Sequence, residues 1–162
     1  MALNTNPITV NGLEDVLDTL NRSVRGIKFR TRKGMIAAGL LIQRKAQQKV
    51  PVDLGNLRSS AFTIWGSTGG TSKKSFEGSD KEEMAANHSK VVSQERLGMT
   101  DSITNPQVEV GFTANYAMYV HEDPIAKHTV GERKFLERAI IENLDGILYA
   151  IENEAWKGAK GK

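Results

Sequence analysis

Apolar residues in the first third of the chain recur at helical intervals. Leu13, Val16, Leu17, Leu20, Val24 and Ile27 step by three, four and one, which lays them along one face of a helix over residues 12–28. Asn11 followed by Glu14 resembles a capping box, a short polar side chain with a carboxylate three residues later to meet free amides. After the polar stretch Arg30 to Gly34, the positions Met35, Gly39, Ile42 and Ala46 repeat the spacing. Pro51 forces Val50 out of helical geometry, so a second helix is predicted to end near Lys49. Asp53 is placed to cap a short turn through its side chain, and Gly55 to take a positive φ at little cost. Beyond this corner the period changes to two. Phe62 and Ile64 alternate with Ala61, Thr63 and Trp65, which predicts a half-buried strand.

Residues 66–80, rich in Gly, Ser and Lys and poor in apolar side chains, read as an exposed flexible loop. From Asp80 to Leu97, Met84, His88, Val91 and Val92 sit at helical spacing behind a Ser79/Asp80 cap. Gly98 and Pro106 bracket a turn. Val108, Val110 and Phe112 then alternate with Gln107, Glu109 and Gly111 as a second strand. Residues 116–122, YAMYVHE, fit a further strand or a short helix, because seven residues are too few for periodicity to separate the two. From Gly131 onward Leu136, Ile140, Leu144, Ile147, Leu148 and Ile151 define one long amphipathic helix to about Trp156, followed by a tail, 158–162, that should fray. This order lacks the alternation of a parallel βαβ sheet. It predicts an α+β fold: a small antiparallel sheet packed by two N-terminal helices and a long C-terminal helix, with a helical and loop insertion, 66–106, between the first two strands. The 162 residues are read as a single domain, able to bury roughly two thirds of the surface of the unfolded chain.

Composition narrows the chemistry. The chain has no cysteine, which excludes disulfides, thiolate metal sites and a cysteine nucleophile together. Its first ten residues lack the basic-then-apolar pattern of a secretory signal, and the apolar run Met35 to Ile42 is too short to span a bilayer, so a soluble chain is expected. The net charge of +3 permits an anionic partner without demanding one. Its distribution is more telling, because nine Lys and Arg residues fall between Asp18 and Asp53 with no acid among them. Arg22, Arg25, Lys28 and Arg32 fall on one side of a continued helix. Such a stripe suits a phosphate backbone or an acidic protein surface, and it equally suits the solvated outer face of a helix whose other side is core. Phe29 is the only ring in the block, which argues against stacking of single-stranded bases.

Catalytic signatures are sparse. His121, Glu122, Asp123 and His128 gather hard ligands within eight residues, but their spacing matches no helical pair of metal-binding histidines, and a polar turn beside Pro124 explains them as well. No G-x-S-x-G elbow surrounds any serine, and Gly69-Gly70 lacks the Lys-Ser/Thr of a phosphate loop. No cofactor or metal is expected.

Three stretches carry a resemblance. AQQKVPVDLGNLRSS (46–60), VEVGFTANYAMYVHE (108–122) and HTVGERKFLERAI (128–140) are similar, in the same order, to signatures of the small head–tail joining proteins of tailed bacteriophages, also called neck, tail-completion or minor capsid proteins. The resemblance implies that Pro51, Asp53, Gly55, Leu57, Arg58 and Ser60 build a helix-to-strand corner. It assigns Gly111, Tyr116, Ala117, Tyr119 and Glu122 to the second signature, and Gly131, Lys134, Phe135, Leu136 and Ala139 to the third. It further implies a non-enzymatic virion protein, assembled in the host cytoplasm. Such a protein forms a homo-oligomeric ring in the neck, between portal or adaptor proteins and tail terminator or tail tube proteins, and genomic DNA passes through it. No membrane partner is implied. The chain departs from the family's pattern in the long 66–106 segment and in Asp123-Pro124, which stands where Gly-Thr is common.

Overall fold

A computed structural model describes residues 13–73, 75–125 and 130–157. The fold is α+β. Its first element, α1 (Leu13–Lys49), is a single continuous helix of 37 residues. The two helices expected over 12–28 and up to Lys49 are therefore joined. The intervening polar stretch contains no proline, and Gly34 does not break it. At Gly34 the backbone of a later helix crosses so closely that a Cβ would lie 2.7 Å from the Ile151 Cα, so packing offsets the roughly 1 kcal/mol helix cost of glycine. Glu14 and Asp15 lie in the first turn, where the helix dipole favours acids. The Asn11 side of the predicted capping box lies outside the described residues.

After α1 come α2 (Asn56–Ser59), β1 (Ala61–Trp65), β2 (Gly69–Ser72), α3 (Lys81–Gly98), β3 (Glu109–Phe112), α4 (Ala117–Glu122), α5 (Phe135–Ile141) and α6 (Leu144–Trp156). The strands form an antiparallel sheet in the order β2-β1-β3, with Phe62 opposite Ser72 on one side and Gly111 on the other. β2 lies inside the segment expected to be a loop. It consists of Gly69, Gly70, Thr71 and Ser72, half-buried or exposed, and so leaves no hydrophobic alternation to detect. α4 settles the open choice at 116–122 as a helix.

β1 is the centre of the fold. It was expected to be half-buried, yet Ala61, Phe62, Thr63 and Ile64 are all buried. Phe62 and Ile64 pack with Val92 of α3, while Thr63 faces α1, where a Cβ on Gly39 would meet the Thr63, Val108 and Val110 side chains. The 66–106 segment thus supplies an edge strand and a helix that covers the second face of the sheet. His88 of α3 is part of that cover: it is buried, bonded through Nδ1 to the Thr113 hydroxyl at 2.6 Å and edge-on to Phe76. On the α1 side, buried Gln43 accepts hydrogen bonds from Thr63 at 2.6 Å and Thr71 at 3.1 Å, tying the helix to both β1 and β2.

The long C-terminal helix is divided. Asn143 donates its side-chain amide to the Ala139 carbonyl at 2.9 Å, competing for an acceptor that a continuous helix would use, and α6 restarts one residue later. α6 then lies along the C-terminal half of α1, where Arg30 donates to the Ala155 carbonyl at 3.0 Å. The predicted fraying at 158–162 lies outside the described residues. No helix among the described residues is long and apolar enough to cross a membrane.

One ion pair fastens α1 to the segment after α3. Arg32 contacts Asp101 at 2.5 Å, and the Asp101 carboxylate has no solvent exposure. Burial alone pushes this carboxyl up, but hydrogen bonds from Arg32 and the Gln107 amide outweigh it and hold it below the usual range. A depressed folded-state pKa means that this contribution is complete above the unfolded value and is lost as pH falls through the folded one. Asp101→Asn should therefore lower stability by about 2 kcal/mol at neutral pH, the Arg32 side being partly solvated, and the deficit should shrink in acid. Denaturant titrations at neutral and acidic pH check both parts. An equal deficit at the two pH values would remove the ion pair as its cause.

Candidate functional site

The three signature stretches meet in space. α1 ends when the Val50 amide donates to the Ala46 carbonyl and Pro51 halts the helix. The returning chain is pinned against this end. Glu132 N donates to the Lys49 carbonyl at 2.8 Å, and Val52 N to the Val130 carbonyl at 3.4 Å. Between them Gly131 adopts φ 88°, and a Cβ there would lie 2.5 Å from the Pro51 Cα. Only glycine accepts both conditions without strain.

The second signature joins from the other side. Lys134 N donates to the His121 carbonyl at 2.8 Å with φ at 54°, the only positive φ outside glycine among the described residues. Phe135 then enters the core with Val50, Leu57 and Ala117, flanked by partly buried Phe112, Val120 and Leu136. Its ring is edge-on to Phe112 at 5.0 Å and to His121 at 4.8 Å. Ala139, one helical turn later, is fully buried. Gly111 lies opposite Phe62, whose ring would collide with a Cβ placed there.

The corner is closed by backbone contacts. Gly55, at φ 82°, precedes α2 as its cap residue and carries no side-chain cap; the expected capping role of Asp53 is not taken up. Buried Ser60 donates its hydroxyl to the Leu57 carbonyl at 2.8 Å, and its own carbonyl accepts the Thr113 amide at 3.0 Å, linking the first signature to the second. Arg58 is exposed. Asn56 was not singled out by sequence. Its buried amide donates to the Glu77 carbonyl at 2.9 Å and accepts the Glu77 N–H at 2.8 Å, clamping the chain before α3. A polar residue in a turn motif gives no warning of that long-range role.

A charge network surrounds the junction. Lys49 contacts Glu132 and Glu142, each at 2.6 Å, and Arg138 contacts Glu132 at 2.6 Å. The hydrogen bond from Lys49 holds the Glu132 carboxyl below its ordinary range, and bonds to Glu132 and then Glu142 raise Lys49. Glu122 is lowered first by its hydrogen bond to His121 and further by Lys134, which also bonds Glu137. His121 thus serves as a link between signatures. His128 lies outside the described residues, and no group of three metal-ligating side chains occurs among the described ones.

Beside this junction lies an open cleft of about 390 Å³, formed by the 51–57 corner, Asp53 and Asn56 included, together with Tyr116, Val120 and Val130. Burial, then the Asp53 charge, raises the Tyr116 phenol. Leu54 and Val130 of this lining are exposed, and Tyr119 of the second signature, which is not part of the cleft, is 73% exposed. Its lining mixes polar and apolar surface in nearly equal parts, and it holds no convergent set of reactive groups.

The basic stripe is split by the fold. Arg22, Arg25 and Lys28 are exposed on the first half of α1, while Arg32 turns inward onto Asp101. No family model, curated protein or solved structure matches the chain.

Proposed function

We propose that the chain is a non-enzymatic structural protein of the phage neck, a ring subunit that joins the capsid portal or adaptor to tail terminator or tail tube proteins and leaves DNA a passage. The observation that carries this reading is the convergence of the three signature stretches on one junction, where Gly131 sits on Pro51 and Phe135 packs on Val50, Leu57 and Ala117. Residues that answer to a shared pattern are thereby explained as one piece of architecture. Two features outside the junction support assembly. β2 and β3 each leave one side unpaired in the described sheet, and α1 presents a long exposed half. Electron microscopy of purified protein, with mass spectrometry of phage particles, tests the reading. Closed rings and presence in the particle are expected, and a strict monomer absent from particles would overturn it.

The exposed Arg22, Arg25 and Lys28 favour one second reading, a non-specific nucleic-acid-binding module. That reading predicts a DNA affinity that falls steeply with salt, with a log–log slope reduced by about 2.7 when all three become alanine. A slope unchanged by that triple substitution removes it.

A further inference from the structure

Two polar links on α1 gather charged groups that the junction does not use. Gln47 donates its side-chain amide to the Arg58 carbonyl at 2.9 Å, which holds α2 beside the end of α1. Gln43 accepts the Thr71 hydroxyl at 3.1 Å, which holds the end of β2 there as well. α2 buries Asn56 and Leu57 and so leaves Arg58 and Ser59 on its outer side. Arg44 and Gln48 stand one turn apart on α1, and Lys73 directly follows β2. Arg44, Gln47, Gln48, Arg58, Ser59 and Lys73 together line an open cleft of about 370 Å³.

Every side chain of this lining can donate a hydrogen bond, and none is a carboxylate. Arg44, Arg58 and Lys73 are exposed, and none of the three enters an ion pair among the described residues. The acids of the region are engaged elsewhere. Glu132 and Glu142 meet Lys49, which lies about 140° around the helix from Arg44. Asp53 lines the other cleft, with Asn56, and Asn56 in turn clamps the backbone of Glu77. Along α1 itself no Asp or Glu follows Asp18. Three cations from three elements thus converge without a counter-ion. A carboxylate accepts hydrogen bonds near its own plane, whereas a tetrahedral phosphate accepts them from directions spread around it. Two guanidinium forks and an ammonium arriving from separate elements match the phosphate.

We propose that this cleft binds the phosphates of a nucleic-acid backbone. Arg44 and Arg58 supply the forks, Lys73 a point charge, and Gln48 and Ser59 neutral donors. The lining contains no aromatic ring, so the contact is to backbone and does not stack bases. The cleft lies about 24 Å along α1 from Lys28, which separates it from the exposed group Arg22, Arg25 and Lys28. A single copy carries every residue of the site, so the inference does not rest on the ring reading.

Fluorescence anisotropy of the full chain with a short labelled DNA duplex of mixed sequence, over a salt series, tests the proposal. Arg44→Ala, Arg58→Ala and Lys73→Ala should each lower the log–log salt slope by about 0.9 and together by about 2.7. Lys81→Ala, Lys90→Ala and Arg133→Ala, combined, remove the same charge at exposed positions outside the cleft and should leave the slope nearly unchanged. All six positions are exposed, Arg58→Ala keeps the carbonyl that Gln47 bonds, and circular dichroism verifies that each variant is folded. Inorganic phosphate alone, measured by calorimetry, should bind far more weakly than the duplex, because a free ion reaches the contacts of one phosphate only. A poly-glutamate peptide of matched charge should displace the duplex poorly. No duplex binding at low salt, or an equal loss from the control triple, would overturn the proposal. Inorganic phosphate binding as tightly as the duplex would overturn it in favour of a free-ion site, and effective displacement by poly-glutamate in favour of an acidic protein surface. Each of these failures leaves the ring reading standing.

Discussion

Phe135→Ala is expected to cost about 4 kcal/mol of folding stability, the usual range for emptying a fully buried aromatic site. The ring is only 1% exposed, and it contacts both other signature stretches through Val50, Leu57, Ala117 and the rings of Phe112 and His121. Its removal leaves a cavity where α1, the α4 segment and α5 meet, and none of these can close it without giving up backbone bonds such as Lys134 N to the His121 carbonyl. Domains have only about 5–15 kcal/mol in total, so the variant should melt some 8–16 °C lower and approach the threshold of folding. Phe135→Leu, which retains most of the apolar volume, should lose less than half as much. Thermal melts of the three proteins measure this, and a shift below about 2 °C for the alanine variant would contradict the placement of Phe135 at the junction.

Gly131→Ala should be comparably damaging for a different reason. The alanine Cβ would be forced into a left-handed backbone at φ 88° and onto the Pro51 Cα at 2.5 Å, a fixed backbone atom that cannot rotate aside. The conformational part costs about 1–2 kcal/mol, and displacing the end of α1 adds a similar amount, so a total near 3 kcal/mol is expected. Gly98→Ala is the matched control. A Cβ there meets nothing within 4 Å, and the change should be neutral or slightly stabilising. Urea midpoints of the two variants discriminate clearly. Equal midpoints would mean that the approach of Gly131 to Pro51 does not constrain the fold.

The two substitutions address the same junction, yet only their local signals were readable in the sequence. Pro51 and Gly55 announce a turn by residue type, and Val108, Val110 and Phe112 announce a strand by alternation. What joins them was not readable, because the contacts of Lys49 with Glu132, of Ser60 with Thr113 and of Asn56 with Glu77 link residues separated by long stretches of chain. Polar side chains at such distances carry no periodic trace. Gln43 is the sharpest case. It sits on a helix as an ordinary polar residue, and its burial follows only from the two threonine hydroxyls that β1 and β2 bring to it.

The helical stripe over Leu13 to Ile27 is informative in the opposite direction. Its spacing correctly implies a helix, and the inference that its apolar side faces the domain's own core does not follow from spacing. α6 covers α1 only from about Arg30 onward, so the same pattern is core in one half of the helix and surface in the other.

Local periodicity and turn chemistry determined the α+β class, the two strands rich in apolar residues, the helical stretches and the corner at Pro51, since each depends on residues a few positions apart. Tertiary structure alone decided that α1 runs unbroken, that a glycine-rich segment pairs as an edge strand, that α3 seals the second face of the sheet, and which apolar face is left bare. Those outcomes depend on which surfaces compete for the same buried space, a question that neighbouring residues along the chain do not answer.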